Sequence, residues 1–219
     1  MHVLVNAAVS ADGKLSSRRR EQIAISGEAD FARVDRLRAE TDAVMVGVGT
    51  VLADDPSLVR HDEAHRAEQR GESAAPPARV VADSRCRTPA GAAVLADDPE
   101  TYVLTSEAAP EERRAALEDA GARLVVSGEE RVDLQAALAA LQEEGIDRLM
   151  VEGGGELIFS LFEAGLVDEL SVFVGGTIIG GREAPTLADG EGFVADFPEL
   201  ALEGVERLDD GAVLSWTVE

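Results

Sequence analysis

Short apolar, β-prone runs alternate with helical segments along most of the chain, and this alternation constrains the fold more than any other feature. Seven runs predict strands, at 3–9, 42–47, 79–83, 101–105, 123–126, 149–151 and 168–174. Four segments predict helices between them, at 28–40, 111–120, 134–144 and 156–164. Helices that return the chain between strands favour parallel pairing. The sequence therefore predicts an α/β sheet that is mainly parallel.

The remaining stretches predict a C-terminal strand at the end of this sheet and two irregular segments. The run at 212–218 alternates as an edge strand does, which predicts antiparallel pairing confined to the C-terminal strands. The stretch 60–78 is polar, charged and proline-containing, and we expect a mobile loop there. The stretch 175–187 is glycine-rich and irregular. With 219 residues and 45% hydrophobic content the chain can bury a sizeable core, so we expect one domain over 1–219.

The composition disfavours several partners and compartments. A net charge of −23 argues against nucleic acid and anionic membranes as partners. Nineteen arginines accompany a single lysine, Lys14, a bias that resembles the surfaces of proteins from salt-loving organisms. No apolar run approaches the ~20 residues that span a bilayer. The N-terminus carries no export signal, and the single cysteine, Cys86, excludes an internal disulfide. We therefore expect a cytoplasmic protein.

Several common chemistries lack their motifs. A phosphate-binding P-loop needs Gly-Lys-Ser/Thr, but Lys14 is followed by Leu15. The glycine runs lack the third spaced glycine of a Rossmann fingerprint, and no Gly-x-Ser-x-Gly elbow occurs. The three histidines lie at the terminus and in 60–78, so we expect no catalytic metal. The charged run 18–21 is typical of solvated surface.

The stretch 149–157 carries most of the functional prediction. Three apolar residues end a strand, three glycines follow, and a helix then begins. Consecutive glycines at such a junction let a ligand approach bare peptide N–H groups, and the helix dipole favours an anionic guest such as pyrophosphate. An ordinary strand-to-helix loop is the alternative. Glu152, at the carboxyl end of the strand, favours a binding site, because open α/β sheets bind ligands there.

Polar residues follow other predicted strands as well. Thr50 and Asp54 follow one strand, and Asp83, Ser84 and Arg85 follow the next. Any one of them alone is more often a cap or a turn, but together they predict one ligand crevice. Ser84 and Arg85 suit an extra phosphate such as the 2′-phosphate of NADPH.

Two carboxylates are candidates for moving a proton, Glu152 and Asp12. The ordinary interpretation of Glu152 is a solvated strand end, and that of Asp12 is a turn residue.

Six segments, taken together, resemble the reductases of riboflavin biosynthesis: 6–14, 38–40, 45–56, 151–155, 165–170 and 179–181. The Gly-Thr-Val-Leu-x-Asp-Asp-Pro block at 49–56 is highly specific, and the likeness runs nearly from end to end. The resemblance implies a three-layer α/β sandwich like that of dihydrofolate reductase, and a homodimer.

The same resemblance implies a reaction. These enzymes reduce 2,5-diamino-6-(ribosylamino)pyrimidin-4(3H)-one 5′-phosphate to its ribitylamino product with NADPH, and NADH is an alternative hydride donor. Position 6 is Asn, as in the free-standing archaeal and fungal enzymes, where enzymes fused to a deaminase often carry Lys. The resemblance therefore implies reduction before deamination.

Site residues are carried over by position. The cofactor positions of the family fall on Thr50, Asp54, Ser84, Val132, Gly153, Gly154, Gly155 and Glu156. Its substrate positions fall on Asn6, Ser26, Arg38, Leu58, Arg60 and Glu152. The ribose ring would open to an imine, and a carboxylate would favour the positively charged iminium during hydride transfer. Glu152 is the first candidate for that carboxylate and Asp12 the second.

Two other functions remain open from the sequence. A dihydrofolate or pteridine reductase would share the fold, although the 50–56 block and the arginines favour a phosphorylated substrate. A non-catalytic nucleotide-binding module would bind NADPH and oxidise none.

Overall fold

The computed structural model describes residues 1–21, 23–96 and 98–219. Within them a nine-stranded sheet has the order β5-β4-β3-β2-β6-β1-β7-β9-β8. The strands are β1 His2–Ser10, β2 Ala43–Gly47, β3 Ala78–Ala82, β4 Thr101–Thr105, β5 Arg123–Val126, β6 Arg148–Val151, β7 Glu169–Gly175, β8 Leu200–Leu208 and β9 Gly211–Val218. Strands β1 to β7 pair in parallel, and β9 pairs antiparallel with both β7 and β8. The predicted mixed sheet is confirmed.

Helices cover both faces of the sheet. They are α1 Glu28–Glu40, α2 Val48–Asp54, α3 Glu63–Arg70, α4 Glu111–Asp119, α5 Leu134–Glu143 and α6 Gly155–Glu163. One core cluster joins one face of the central strands to α5 and α6, for example through Leu141 and Ile158. A second cluster joins the other face to α2 and α4, for example through Val51 and Leu117. The strands are apolar on both sides because helices bury both sides. The predicted three-layer α/β architecture is confirmed.

The stretch 60–78 differs from its prediction as an irregular loop, because it contains α3. Asp62 caps this helix by accepting a hydrogen bond from the His65 amide. Arg66 takes the inward position, and its guanidinium donates to the carbonyls of Ala39, Thr41 and Ala75. The prediction was wrong here because a buried arginine, rather than an apolar residue, marks the inner face of the helix.

The antiparallel end of the sheet also differs from its prediction. The run at 212–218 forms β9, which lies between two strands, so the prediction of an edge strand there was wrong. The edge strand is β8, which the sequence did not predict. Both faces of β8 are largely exposed, and its pairing with β9 shifts register between Leu202 and Gly204. Without a buried face, β8 lacks the alternation that identifies a strand.

Candidate active site

A cleft of about 1500 Å³ runs along the carboxyl ends of the parallel strands. Eleven of the predicted site residues line it: Ser26, Thr50, Asp54, Ser84, Arg85, Val132, Glu152, Gly153, Gly154, Gly155 and Glu156. They follow β1, β2, β3, β5 and β6, whose carboxyl ends meet at one edge of the sheet. The parallel topology therefore brings most of the predicted site together.

The glycine loop after β6 is fixed against the end of β2. The Glu152 amide donates to the Met45 carbonyl at 2.9 Å, and the Gly47 amide donates to the Gly153 carbonyl at 2.9 Å. The Gly153–Gly154 peptide bond is cis, and Gly153 has φ +129°, a backbone conformation that favours glycine. A Cβ at position 154 would lie 3.5 Å from Thr50 Oγ1. The loop therefore lines this part of the cleft with bare backbone, beside the Thr50 hydroxyl group.

The N-terminus of α6 offers free amides to the cleft. The Leu157 and Ile158 amides both donate to the Gly154 carbonyl, at 3.0 and 3.1 Å. The amides of Gly155 and Glu156 precede them and have no partner within the helix, as in the first turn of any helix. Together with the helix dipole, these groups suit a pyrophosphate. The residues present therefore fit the diphosphate of a nicotinamide dinucleotide.

The loop that contains Thr186 and Asp189 packs behind the glycine loop after β6, which we call the glycine cradle. Gly155 has no side chain, and a Cβ at this position would lie 2.4 Å from the Thr186 carbonyl oxygen. The Asp189 amide donates to the Gly155 carbonyl at 3.0 Å, and the Asp189 carboxylate accepts from the Thr186 amide and hydroxyl. Glycine is required at 155 because the two backbones touch.

The β3 end of the cleft is rich in arginine. The Ser84 hydroxyl accepts from the Val132 amide at 3.1 Å, which joins the loops after β3 and β5. Arg85 pairs with Glu130 at 2.5 Å, and both side chains are exposed. Arg87 and Arg131 also line the cleft, although the sequence did not single them out. This end can take an anion.

Asp83 does not line the cleft. It is 1% exposed, and its carboxylate accepts from the amide and hydroxyl of Thr88, at 2.7 and 2.8 Å. Its contacts stabilise the turn after β3 and leave Ser84 to face the cleft.

Asp54 and Thr50 both lie on α2 and both line the cleft. Partial burial raises the pKa of the Asp54 carboxyl above its usual range.

Glu152 is held by a bidentate ion pair with Arg38. Arg38 Nε donates to Glu152 Oε1 at 2.5 Å, and Nη2 donates to Oε2 at 2.6 Å. The side chains are 16% and 13% exposed. Burial opposes the charge on Arg38, but the hydrogen bond and charge of Glu152, with Asp35, outweigh it and raise the pKa of Arg38. The carboxylate is therefore paired and oriented at the end of β6.

This pair continues into a longer chain of charges. Asp35 lies 3.7 Å from Arg38 and 2.7 Å from Arg60 Nε. Arg38 Nη1 also donates to the Arg60 carbonyl at 3.0 Å. Neither Arg38 nor Arg60 lines the cleft, and Leu58 is buried in the second core cluster with φ +54°. None of these three predicted substrate residues lines the cleft, and the Arg60 side chain is 72% exposed.

Asn6 does not line the cleft either and is buried under α1. Its side-chain oxygen accepts from Arg33 Nη2 at 2.9 Å. The same guanidinium donates to Ser171 at 2.9 Å and pairs with Asp30 at 2.8 Å. This network anchors α1 to β1 and β7.

Asp12 lies outside the cleft, in the turn after β1. Its carboxylate accepts from the Ser10 hydroxyl at 2.6 Å and from the Ile179 and Gly180 amides at 3.0 and 2.7 Å. The Ser10 hydroxyl and then the Ile179 amide lower its pKa to about 2. These contacts join two loops, and the low pKa disfavours proton donation at neutral pH.

The loop between β1 and α1 lines the cleft more than the sequence indicated. Arg20 and residues 23–25 line it beside Ser26, and Pro185 lies in the same lining. This differs from the prediction of solvated surface for the run 18–21, because an arginine run alone does not show which of its members faces a cleft.

The described residues contain no cluster of three or more metal-ligating side chains. Among the described helices, none is both long and apolar enough to cross a membrane.

Comparison with known proteins identifies the family. The sequence matches the RibD C-terminal domain over residues 1–214. It is 48% identical over 211 residues to the 2,5-diamino-6-ribosylamino-4(3H)-pyrimidinone 5′-phosphate reductase of Archaeoglobus fulgidus, covering 96% of this chain and 94% of that one. It is 45% identical to the enzyme of that name from Methanothermobacter thermautotrophicus, covering 100% of this chain and 98% of the relative.

A solved structure gives the same result. Acinetobacter baumannii RibD superposes with a TM-score of 0.80 at 26% identity, covering 100% of this chain and 58% of that one. The chain therefore belongs to the RibD C-terminal domain family, the reductases of riboflavin biosynthesis, which are oxidoreductases that use a nicotinamide cofactor.

Proposed function

We propose that this chain reduces 2,5-diamino-6-(ribosylamino)pyrimidin-4(3H)-one 5′-phosphate to the ribitylamino compound with NADPH, as one reductase domain over 1–219 working in the cytoplasm. The observation that carries the proposal is the single cleft that joins the glycine cradle, the arginine-rich β3 end and the Glu152 carboxylate. Two relatives of nearly equal length carry the name of this reductase.

The cofactor is proposed to lie along the carboxyl edge of the sheet. Its diphosphate would bind the amides at the start of α6 beside Thr50, and its 2′-phosphate would bind near Ser84 and Arg85. The alternative donor, NADH, lacks that phosphate. Arg85→Gln should therefore raise KM for NADPH and leave KM for NADH unchanged, with the exposed Arg148→Gln as the control. Equal effects on both cofactors would contradict this placement.

The chemistry needs a carboxylate beside the reacting carbon. The nicotinamide would supply a hydride to C1′ of the protonated, ring-opened iminium, whose nitrogen, already carrying the proton, would become the amine. Glu152 would favour the positively charged iminium, because it lines the cleft at the end of β6 and Arg38 fixes its orientation through two hydrogen bonds. Asp12 is the weaker candidate, since its oxygens already accept three hydrogen bonds away from the cleft.

The test is NADPH oxidation by purified protein in concentrated KCl, with the diamino ribosyl compound, its deaminated form and dihydrofolate as substrates. Oxidation with the diamino compound, and little with the others, supports both the reaction and reduction before deamination. Preference for the deaminated compound reverses the order of steps. Oxidation with dihydrofolate and inhibition by methotrexate would favour the rival reductase. Bound NADPH without any turnover would favour a binding module.

A second copy of the chain is the proposed partner. Leu202 and Val205 on the edge strand β8 are 58% and 63% exposed. Their pairing partners on the neighbouring strand β9 are Trp216 and Leu214. An exposed apolar edge of this kind is typical of an interface. Leu202→Glu should convert a dimer to a monomer in analytical ultracentrifugation. An unchanged mass would contradict a dimer through β8.

A further inference from the structure

The turn between β8 and β9 lies against the start of α1, although 180 residues separate Asp209 from Ala29 in the sequence. We propose that Asp209 is a positioning residue for the loop 23–26, which we call the substrate loop. This inference rests on the proposed function, because Ser26 is one of the predicted substrate residues and lines the cleft with the rest of this loop.

The helix α1 begins without a cap of its own. Its N-cap residue is Gly27, which has no side chain to accept a hydrogen bond from the first turn. Asp209 supplies the missing acceptor, since its Oδ2 accepts from the Asp30 amide at 3.1 Å and its Oδ1 from the Ala29 amide at 3.4 Å. A carboxylate at a helix N-terminus also interacts favourably with the helix dipole. The β8–β9 turn therefore fixes the start of α1 from outside the helix.

The glycine at position 27 lets this carboxylate approach. A Cβ there would lie 2.7 Å from Asp209 Cγ, and 2.8 and 3.0 Å from Oδ2 and Oδ1. Gly27 has φ −107°, which any residue can adopt, so the close approach rather than the backbone conformation accounts for the glycine. Asp209 has φ +50°, in the left-handed region, where Asp and Asn are enriched among residues with a side chain. Both residues therefore suit this contact.

The substrate loop is also held from a second side. A Cβ at Gly175, the last residue of β7, would lie 2.5 Å from the Ile25 carbonyl oxygen. Ile25 lines the cleft beside Ser26. The loop is therefore packed between the end of β7 and the β8–β9 turn, and Asp209 is the side chain of this clamp that a substitution can remove.

The position of α1 matters for the substrate more than for the cofactor. Ser26 precedes the helix, and Arg38, in its last turn, holds Glu152 through two hydrogen bonds. The predicted cofactor residues lie on α2, on α6 and in the loops after β3, β5 and β6. Loss of the Asp209 contact should therefore weaken substrate binding and leave cofactor binding unchanged.

The test uses four single variants. Asp209→Gly removes the carboxylate and keeps a residue that tolerates a positive φ. Asp209→Asn keeps an acceptor oxygen and also tolerates that backbone. Asp210→Gly is the matched control, because Asp210 is adjacent, exposed and of the same charge. Gly27→Ala displaces the carboxylate from the other side of the contact. The readouts are KM for the substrate, KM for NADPH, kcat, and hydrogen–deuterium exchange of residues 23–31.

Asp209→Gly should raise KM for the substrate by about 3- to 10-fold, because the loss of one helix cap lowers the fraction of molecules with the loop in place. KM for NADPH should stay unchanged, and Asp209→Asn should restore most of the affinity for the substrate. Gly27→Ala should act like Asp209→Gly, and the double variant should be little worse than either, because both changes remove the same contact. Asp210→Gly should match the wild type.

A merely structural role of Asp209 gives a different result. A smaller folded fraction lowers the apparent kcat and leaves both KM values unchanged. That result would overturn the inference. So would equal rises in both KM values, additive effects in the double variant, or an equal effect of Asp210→Gly.

Hydrogen–deuterium exchange separates this inference from the proposed reaction, because it needs no turnover. If the wild type turns over no substrate, yet exchange of residues 23–31 rises in Asp209→Gly and not in Asp210→Gly, the clamp stands and the reaction is wrong. If the wild type turns over substrate and Asp209→Gly has a normal KM, the reaction stands and the inference is wrong. No turnover together with unchanged exchange overturns both.

Discussion

The ion pair between Arg38 and Glu152 should be strongly coupled, and its strength can be worked out from its geometry. Two contacts of 2.5 and 2.6 Å join the groups. At about 4 Å between charge centres and an effective dielectric constant of about 20, the attraction is about 4 kcal/mol. The two side chains are only 16% and 13% exposed, so the free energy of removing them from water offsets part of this attraction. We expect a coupling free energy of about 2 kcal/mol.

A double-mutant cycle measures this coupling. Glu152→Gln leaves the guanidinium with only Asp35 at 3.7 Å and a carbonyl, so the free energy of unfolding should fall by about 2–3 kcal/mol. Arg38→Met should cost a similar amount. The double variant should lose only about 3 kcal/mol, because no unpaired charge remains. Urea unfolding in KCl gives these values, and saturating turnover should fall in both single variants.

An exposed pair provides the control. Arg123 and Glu100 lie 2.9 Å apart with side chains 47% and 48% exposed. Their coupling should be below about 1 kcal/mol and should vanish in concentrated KCl, whereas the buried coupling should persist. If the coupling free energy of Arg38 with Glu152 were as weak and as salt-sensitive as that of the exposed pair, the reasoning would be refuted. Full turnover by Glu152→Gln at saturating substrate would remove Glu152 from the reaction.

Three further predictions concern contacts outside this ion pair. Gly155→Ala should lower the free energy of unfolding by about 1–3 kcal/mol and raise KM for the cofactor, because a Cβ at 155 would lie 2.4 Å from the Thr186 carbonyl oxygen. Gly91→Ala is the control: a Cβ at 91 meets no atom within 4 Å, so this variant should change neither quantity. Asp12→Asn should lose stability at neutral pH. Because the folded-state pKa of Asp12 is lowered to about 2, the difference from wild type should shrink as pH falls from about 4 towards 2, in acid titrations of unfolding. Arg66→Met leaves three carbonyls unpaired and should cost about 3 kcal/mol or more in thermal unfolding. A normal melting temperature would contradict that account.

The sequence predicted those features that follow from apolar periodicity and strand ends. The helix 28–40 and the strands 101–105 and 123–126 were predicted to the residue. Thr50 and Glu152 follow different strands, but a parallel sheet brings their carboxyl ends to one edge. That rule alone placed the glycine loop in the cleft.

Other features depend on which way a side chain turns, which periodicity does not show. Asp83 and Ser84 carry the same strand-end signal, yet Asp83 turns inward to Thr88 while Ser84 faces the cleft. Arg20 faces the cleft, and Arg19 faces another hollow. The sequence could not predict the roles of these residues, because each role depends on long-range packing.

The chain of side chains Glu152, Arg38, Asp35 and Arg60 alternates in sign and sums to zero. The rest of the molecule carries the excess of 23 negative charges. Exposed carboxylates farther away than the Debye length, about 8 Å at physiological ionic strength, have little influence on this neutral array, in which Arg38 and Glu152 are 16% and 13% exposed. Surface acidity can therefore drift with salinity during evolution while the field at Glu152 stays constant. Replacing a member of the array, by contrast, requires a compensating change in its neighbour, so these four positions should co-vary among relatives.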